Sequence, residues 1–200
     1  MQKGKIIYLN GVSGAGKTTL AKVLQEKLDE PYFMLNWDFF SKCISPKKYW
    51  DESESEGGNK DWGTEVIMLM HKTAKVYADI GVNTIIDMII VRHLDETSEL
   101  YCDYFGGIVG LLHEYPLCFV HVFCPFDELC RRKTERGDKY VDKWLPLQIE
   151  YFYPKEPYDI TVNTFENTTE ECADKIITLM NKPEGFTAFK SMNRKQTDMI

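Results

Sequence analysis

Gly11-Val12-Ser13-Gly14-Ala15-Gly16-Lys17-Thr18 fits the pattern G-x-x-x-x-G-K-[ST] at every fixed position. The apolar run Ile6-Ile7-Tyr8-Leu9 before it reads as a buried strand within Lys5 to Asn10. After it, Thr19 to Asp29 reads as a helix with Leu20, Val23, Leu24 and Leu28 on one face. Strand, glycine-rich loop and helix in that order are the context of a phosphate-binding loop. The glycines let successive N–H groups wrap an anion, and the helix points its positive end at the same place. Gly11, Ser13, Gly14, Ala15, Gly16, Lys17, Thr18 and Thr19 are therefore the candidate phosphate-binding set. Lys17 is placed to reach the terminal phosphates, and the Thr18 hydroxyl to ligate Mg²⁺. A plain glycine-rich turn between strand and helix does not account for the match of both flanking elements.

Outward from the loop, strands and helices alternate. Tyr32 to Asn36 reads as a second strand, ending at Trp37-Asp38-Phe39-Phe40. Residues 45–63, with the run Asp51-Glu52-Ser53-Glu54-Ser55-Glu56, read as an exposed excursion. Thr64 to Ile80 is helical in pattern, with Gly81 at the C-cap position. Val82 to Ile90 is nearly all apolar, as a central parallel strand is. A helix is expected between Leu94 and Glu114, broken or bent at Gly106-Gly107. Leu117 to Cys124 is the next strand, Phe126 to Glu135 a helix, Tyr140 to Tyr151 another, and Tyr158 to Val162 the last strand. Thr169 to Met180 closes the pattern, with Thr168 as its N-cap. Such alternation predicts an α/β fold, three layers around a five-stranded parallel sheet. Residues 1–181 form one domain, and 182–200 are expected to be a polar, irregular tail, loosely held or docked on the surface.

The chain of 200 residues is 44% hydrophobic, enough for a sizeable core, and its net charge of −7 comes with no basic run. A sequence-independent nucleic-acid binder shows a basic face, so nucleic acid is not the expected partner. The six cysteines include no C-x-x-C pair and read as reduced thiols. His121 reads as a strand residue, and His71, His93 and His113 as surface or partly buried groups. No signal peptide and no membrane-length apolar stretch is visible, so the expected location is the cytoplasm.

Ligands of parallel sheets sit outside the C-terminal ends of the strands. The phosphate loop, Asp38, Asp87 and the Val162-Asn163-Thr164 turn all fall at such ends. Asp87, inside an apolar strand, needs a partner, and Mg²⁺ is favoured over capping of a neighbouring helix. Asp38 is placed either to take a proton from an acceptor hydroxyl or to cap a helix starting at Phe39. Arg131, Arg132, Lys133 and Arg136 surround Arg136-Gly137-Asp138. A cationic helix end beside a glycine fits a lid, about 132–142, more than a solvated helix paired through Glu128 and Glu135. Asn181-Lys182-Pro183-Glu184 looks like a guanine-reading motif, but follows a helix and ends in glutamate.

In these residues the chain resembles the chloramphenicol phosphotransferase-like family of P-loop kinases. The resemblance spans roughly Lys5 to Met180. It is carried by Ile6-Ile7-x-Leu9-Asn10-Gly11, the loop, Asp38, Ile85-Ile86-Asp87, Arg132-x-x-x-Arg136-Gly137-Asp138, Gln148, Tyr158-Asp159 and Glu171-Cys172-Ala173. It implies a nucleoside-kinase-like P-loop NTPase fold with a short lid, and transfer of the γ-phosphate of Mg-ATP to a small-molecule hydroxyl. It implies Asp38 as general base, Lys17 on the β- and γ-phosphates, Arg132 and Arg136 in the lid, and the adenine near Asn163-Thr164. The chain departs from the family at Tyr153, where a histidine is frequent, and in the segment after Asp38. A nucleotide-sugar kinase and a slowly hydrolysing nucleotide switch are the alternative functions, and homo-oligomerisation is left open.

Overall fold

The computed structural model describes residues 2–43, 62–91, 104–139, 141–152, 155 and 157–197. All five side chains of β1 (Ile6–Asn10) are buried, as in strands covered on both faces. It lies between β3 (Asn83–Met88) and β4 (Leu117–Phe123), parallel to both. β2 (Tyr32–Asn36) pairs with β3 and β5 (Ile160–Asn163) with β4, so the sheet is five-stranded, all parallel, in the order β2-β3-β1-β4-β5. The edge strand β2 leaves Phe33 exposed.

Alternate residues of β1 feed two cores. Ile7 and Leu9 pack with Leu20 and Leu24 of α1 (Lys17–Lys27) and Ile176 of α7 (Thr169–Met180). Ile6 and Tyr8 pack with Met70 of α3 (Trp62–Asp79), Ile108 of α4 (Tyr104–Leu112) and Phe189 of α8 (Ala188–Thr197). α2 (Trp37–Lys42) follows β2 directly, and α5 (Phe126–Glu135) and α6 (Val141–Glu150) lie between β4 and β5. Gly81, with φ 82°, ends α3 as expected. Thr168 caps α7, with Glu171 completing the capping box. Among the described residues, no helix is long and apolar enough to cross a membrane, and five cysteines are free.

Three expectations change. Gly106-Gly107 does not break the helix; α4 runs through both. A Cβ at Gly107 would meet Met68 Cε at 3.5 Å, an ordinary contact on the side that faces α3. The tail is not irregular: a 3₁₀ turn (Pro183–Gly185) leads into α8, and Phe186, Phe189 and Met192 are buried. Asp159 fastens it, one carboxylate oxygen accepting from Thr187 and Ala188 N–H and the other from Phe119 N–H. His71 is fully buried rather than at the surface or partly buried. Its Nδ1 lies 2.6 Å from the Ile67 carbonyl, which only accepts, so Nδ1 carries the proton and Nε2 accepts from Tyr8 OH at 2.8 Å. Burial lowers its pKa to about 4. Of the 45–63 excursion, Trp62 and Gly63 open α3 and the rest lies outside the described residues. The same holds for His93, Cys102, Tyr140 and Tyr153.

Candidate active site

β1 delivers the chain to the centre of the sheet, where the order reverses between β3 and β4. That point opens a crevice at the C-terminal ends of the strands. The phosphate loop fills its floor. Gly16 adopts φ 92° to turn the chain into α1, a conformation costly for other residues. Gly11 lies so close to β4 that a Cβ there would stand 2.4 Å from the Val122 carbonyl oxygen.

Lys17 and Thr18 project from the first turn of α1. Lys17 Nζ donates to Gly11 O at 2.8 Å and lies 3.9 Å from Asp87 Oδ1. Burial pulls its pKa below the usual lysine value, opposed by the charges of Asp87 and Asp38. Thr18 Oγ1 donates to Asp87 Oδ2 at 2.5 Å. A hydroxyl and a carboxylate side by side suit a hard cation such as Mg²⁺, which takes oxygen donors and shares them with phosphates. Among the described residues there is no cluster of three or more His, Cys, Asp or Glu side chains that would hold a metal alone.

Asp38 stands exposed in the first turn of α2. The helix cap is Asn36, whose Oδ1 accepts from Phe39 N–H at 2.8 Å, so Asp38 is not used as a cap. Its charge reaches Lys17 and Arg136.

The helices after β4 supply the cations. Arg132 Nη1 and Nη2 donate to Thr164 Oγ1 and O at 3.0 and 2.8 Å, and Nε to Glu128 at 2.7 Å. Thr164 donates in turn to Ala15 O at 2.9 Å. Arg136 pairs with Asp138. Arg131 points away, half exposed between Glu128 and Glu135. Gly137, with φ 77°, makes the turn between α5 and α6.

These groups surround a cavity of about 800 Å³ lined by the loop, Asp38, Asp87, Arg132 and Arg136. Trp37, Ile67, Met88, Ile89, Val91 and Tyr104 form its other wall. Gly11, Ala15, Asn163 and Thr164 support the lining rather than join it. The Asn163 side chain closes its own turn on Phe165 N–H. Sequence reasoning counted Lys133 among the lid cations and Gln148 in the family pattern, but foresaw no contact of either with the phosphate loop. Lys133 is buried and donates to Ser13 Oγ, and Gln148 Oε1 accepts from Ser13 N–H. No local spacing marks either contact.

The model of the chloramphenicol phosphotransferase-like protein family matches residues 4–181. The adenylyl-sulfate kinase of Clostridium acetobutylicum is 27% identical over 187 residues, covering 88% of this chain and 82% of that one. The cytidine diphosphoramidate kinase of Campylobacter jejuni is 26% identical over 180 residues, covering 86% and 94%. Among solved structures, the Mycobacterium tuberculosis APS kinase in complex with AMPPNP and APS has the same fold. Its TM-score is 0.62 at 17% identity, over 90% of this chain and 99% of that one.

Proposed function

The chain belongs to the chloramphenicol phosphotransferase-like protein family, and from that premise we propose that it moves the γ-phosphate of Mg-ATP to a hydroxyl of a small molecule, with Asp38 as general base. It is a P-loop small-molecule kinase; nucleotide, metal, base and acceptor are the proposal. The observation that carries it is Asp38, exposed on the cavity wall and relieved of capping by Asn36.

The N–H groups of the phosphate loop hold the phosphates, and Lys17 lies along the β- and γ-phosphates. Thr18 and Asp87 would hold Mg²⁺, which would neutralise phosphate charge. Asp38 orients the acceptor hydroxyl and takes its proton as the new O–P bond forms and the bond from the γ-phosphorus to the bridging oxygen breaks, leaving ADP. Arg132 and Arg136 stabilise charge on the transferring group, and closure of the α5–α6 turn excludes water, so that the alcohol is phosphorylated. The adenine lies beside Arg132, near the Asn163-Thr164 turn that holds this side chain. The acceptor occupies the wall formed by Trp37, Ile67 and Tyr104.

The test is ADP release with Mg-ATP against a panel of hydroxyl compounds that includes chloramphenicol and nucleotide sugars. Stimulation by one compound, with a product heavier by one phosphoryl group, is expected. Slow hydrolysis that no compound accelerates would favour the nucleotide switch.

A further inference from the structure

Ser13 is gripped from two sides by the helices that follow β4. Its N–H donates to Gln148 Oε1 on α6 at 3.2 Å, and its hydroxyl oxygen accepts from Lys133 Nζ on α5 at 3.1 Å. Lys133 is only 7% exposed, and a buried ammonium requires a counter-charge. Asp138 provides it, with Oδ2 3.0 Å from Nζ. The same carboxylate accepts from Arg136 Nε at 2.8 Å and from Arg136 Nη2. The Asp138 N–H returns to the Lys133 carbonyl, closing the turn around the lysine. The lysine stem runs beneath the loop, where a Cβ on Gly14 would lie 3.2 Å from Lys133 Cγ. Polar contacts thus run unbroken from the phosphate loop to the Arg136 guanidinium.

We propose that Lys133 is a positioning residue that couples occupancy of the phosphate loop to placement of Arg136. Lys133 and Arg136 share one carboxylate. An anion in the loop draws the Lys133 ammonium toward it, leaves Asp138 to Arg136, and re-seats the turn over the transferring group. The inference rests on the nucleotide reading above.

Hydrogen exchange with and without Mg-AMPPNP tests it in wild type and Lys133→Met, which keeps an apolar stem under Gly14. The loop amides, 14–18, should be protected in both proteins. The Arg136, Gly137 and Asp138 amides should slow roughly tenfold in wild type and less than about twofold in the variant. A lysine that only supported the fold would leave the nucleotide-induced change at the turn intact. Ser13→Ala, which removes just the hydroxyl of the same bridge, should also blunt the response, and serves if Lys133→Met does not fold. Equal slowing of the turn in wild type and variants would overturn the coupling and leave nucleotide binding standing. Absence of loop protection in wild type would overturn both.

Discussion

Asn36 and Asp38 divide two tasks between neighbouring polar residues. Because Asn36 satisfies the Phe39 N–H, the Asp38 carboxylate is available to the cavity. Asp38→Asn should leave AMPPNP affinity within about threefold and lower kcat roughly 10²–10⁴-fold, measured by coupled ADP release. His71 gives a test of stability instead. Below pH 6.5 the unfolded chain binds a proton that the folded chain refuses until about pH 4. Folded stability therefore falls as pH drops through that window. The stability advantage of wild type over His71→Gln should narrow by about 2 kcal/mol between pH 7 and pH 5, read from urea unfolding. The meeting of Lys17, Thr18 and Asp87 was legible because fixed spacing, or a carboxylate in an apolar strand, marks them. Lys133 and Gln148 were not, because Ser13 lies 120 and 135 residues away from them along the chain.

At the scale of elements, local chemistry carried most of the reading. α5 and α7 begin and end where their patterns place them, the latter set by Thr168 and Glu171. Gly106-Gly107 misled because propensity penalises glycine in a helix by only about 1 kcal/mol, and the burial of Tyr104, Phe105, Ile108, Val109 and Leu112 outweighs it. α8 misled because mostly polar residues obscure the buried Ala188, Phe189 and Met192. Its attachment depends on Asp159, which serves three N–H groups from two elements. Asp159→Ala should cost about 3 kcal/mol by chemical denaturation, since the buried Phe119 N–H loses its partner and the helix its cap. A loss under about 0.5 kcal/mol would mean that α8 is held by apolar contact alone.

The whole molecule follows from alternation: apolar strands covered on both faces, helices between them, and a crevice where the order reverses. The order β2-β3-β1-β4-β5 is not written in any one segment, because parallel pairing joins residues far apart in sequence. AMPPNP with magnesium at a hundred times its Kd should raise Tm by about 5–10 °C, and Lys17→Ala should abolish that rise in a thermal melt. α8 also sets a condition on synthesis. Phe189 contacts Tyr8, Phe105 and Phe119, with ring centroids 5.9, 6.1 and 5.0 Å away. A chain emerging from the ribosome therefore presents the first strand's Tyr8 long before its partner exists. The face with α1 and α7 lacks only Phe186 once Met180 is out, but the opposite face stays open until Met192 has followed. Nascent chains stalled with residue 180 just outside the exit tunnel should bind chaperones and resist protease poorly, and those stalled beyond residue 197 should be compact.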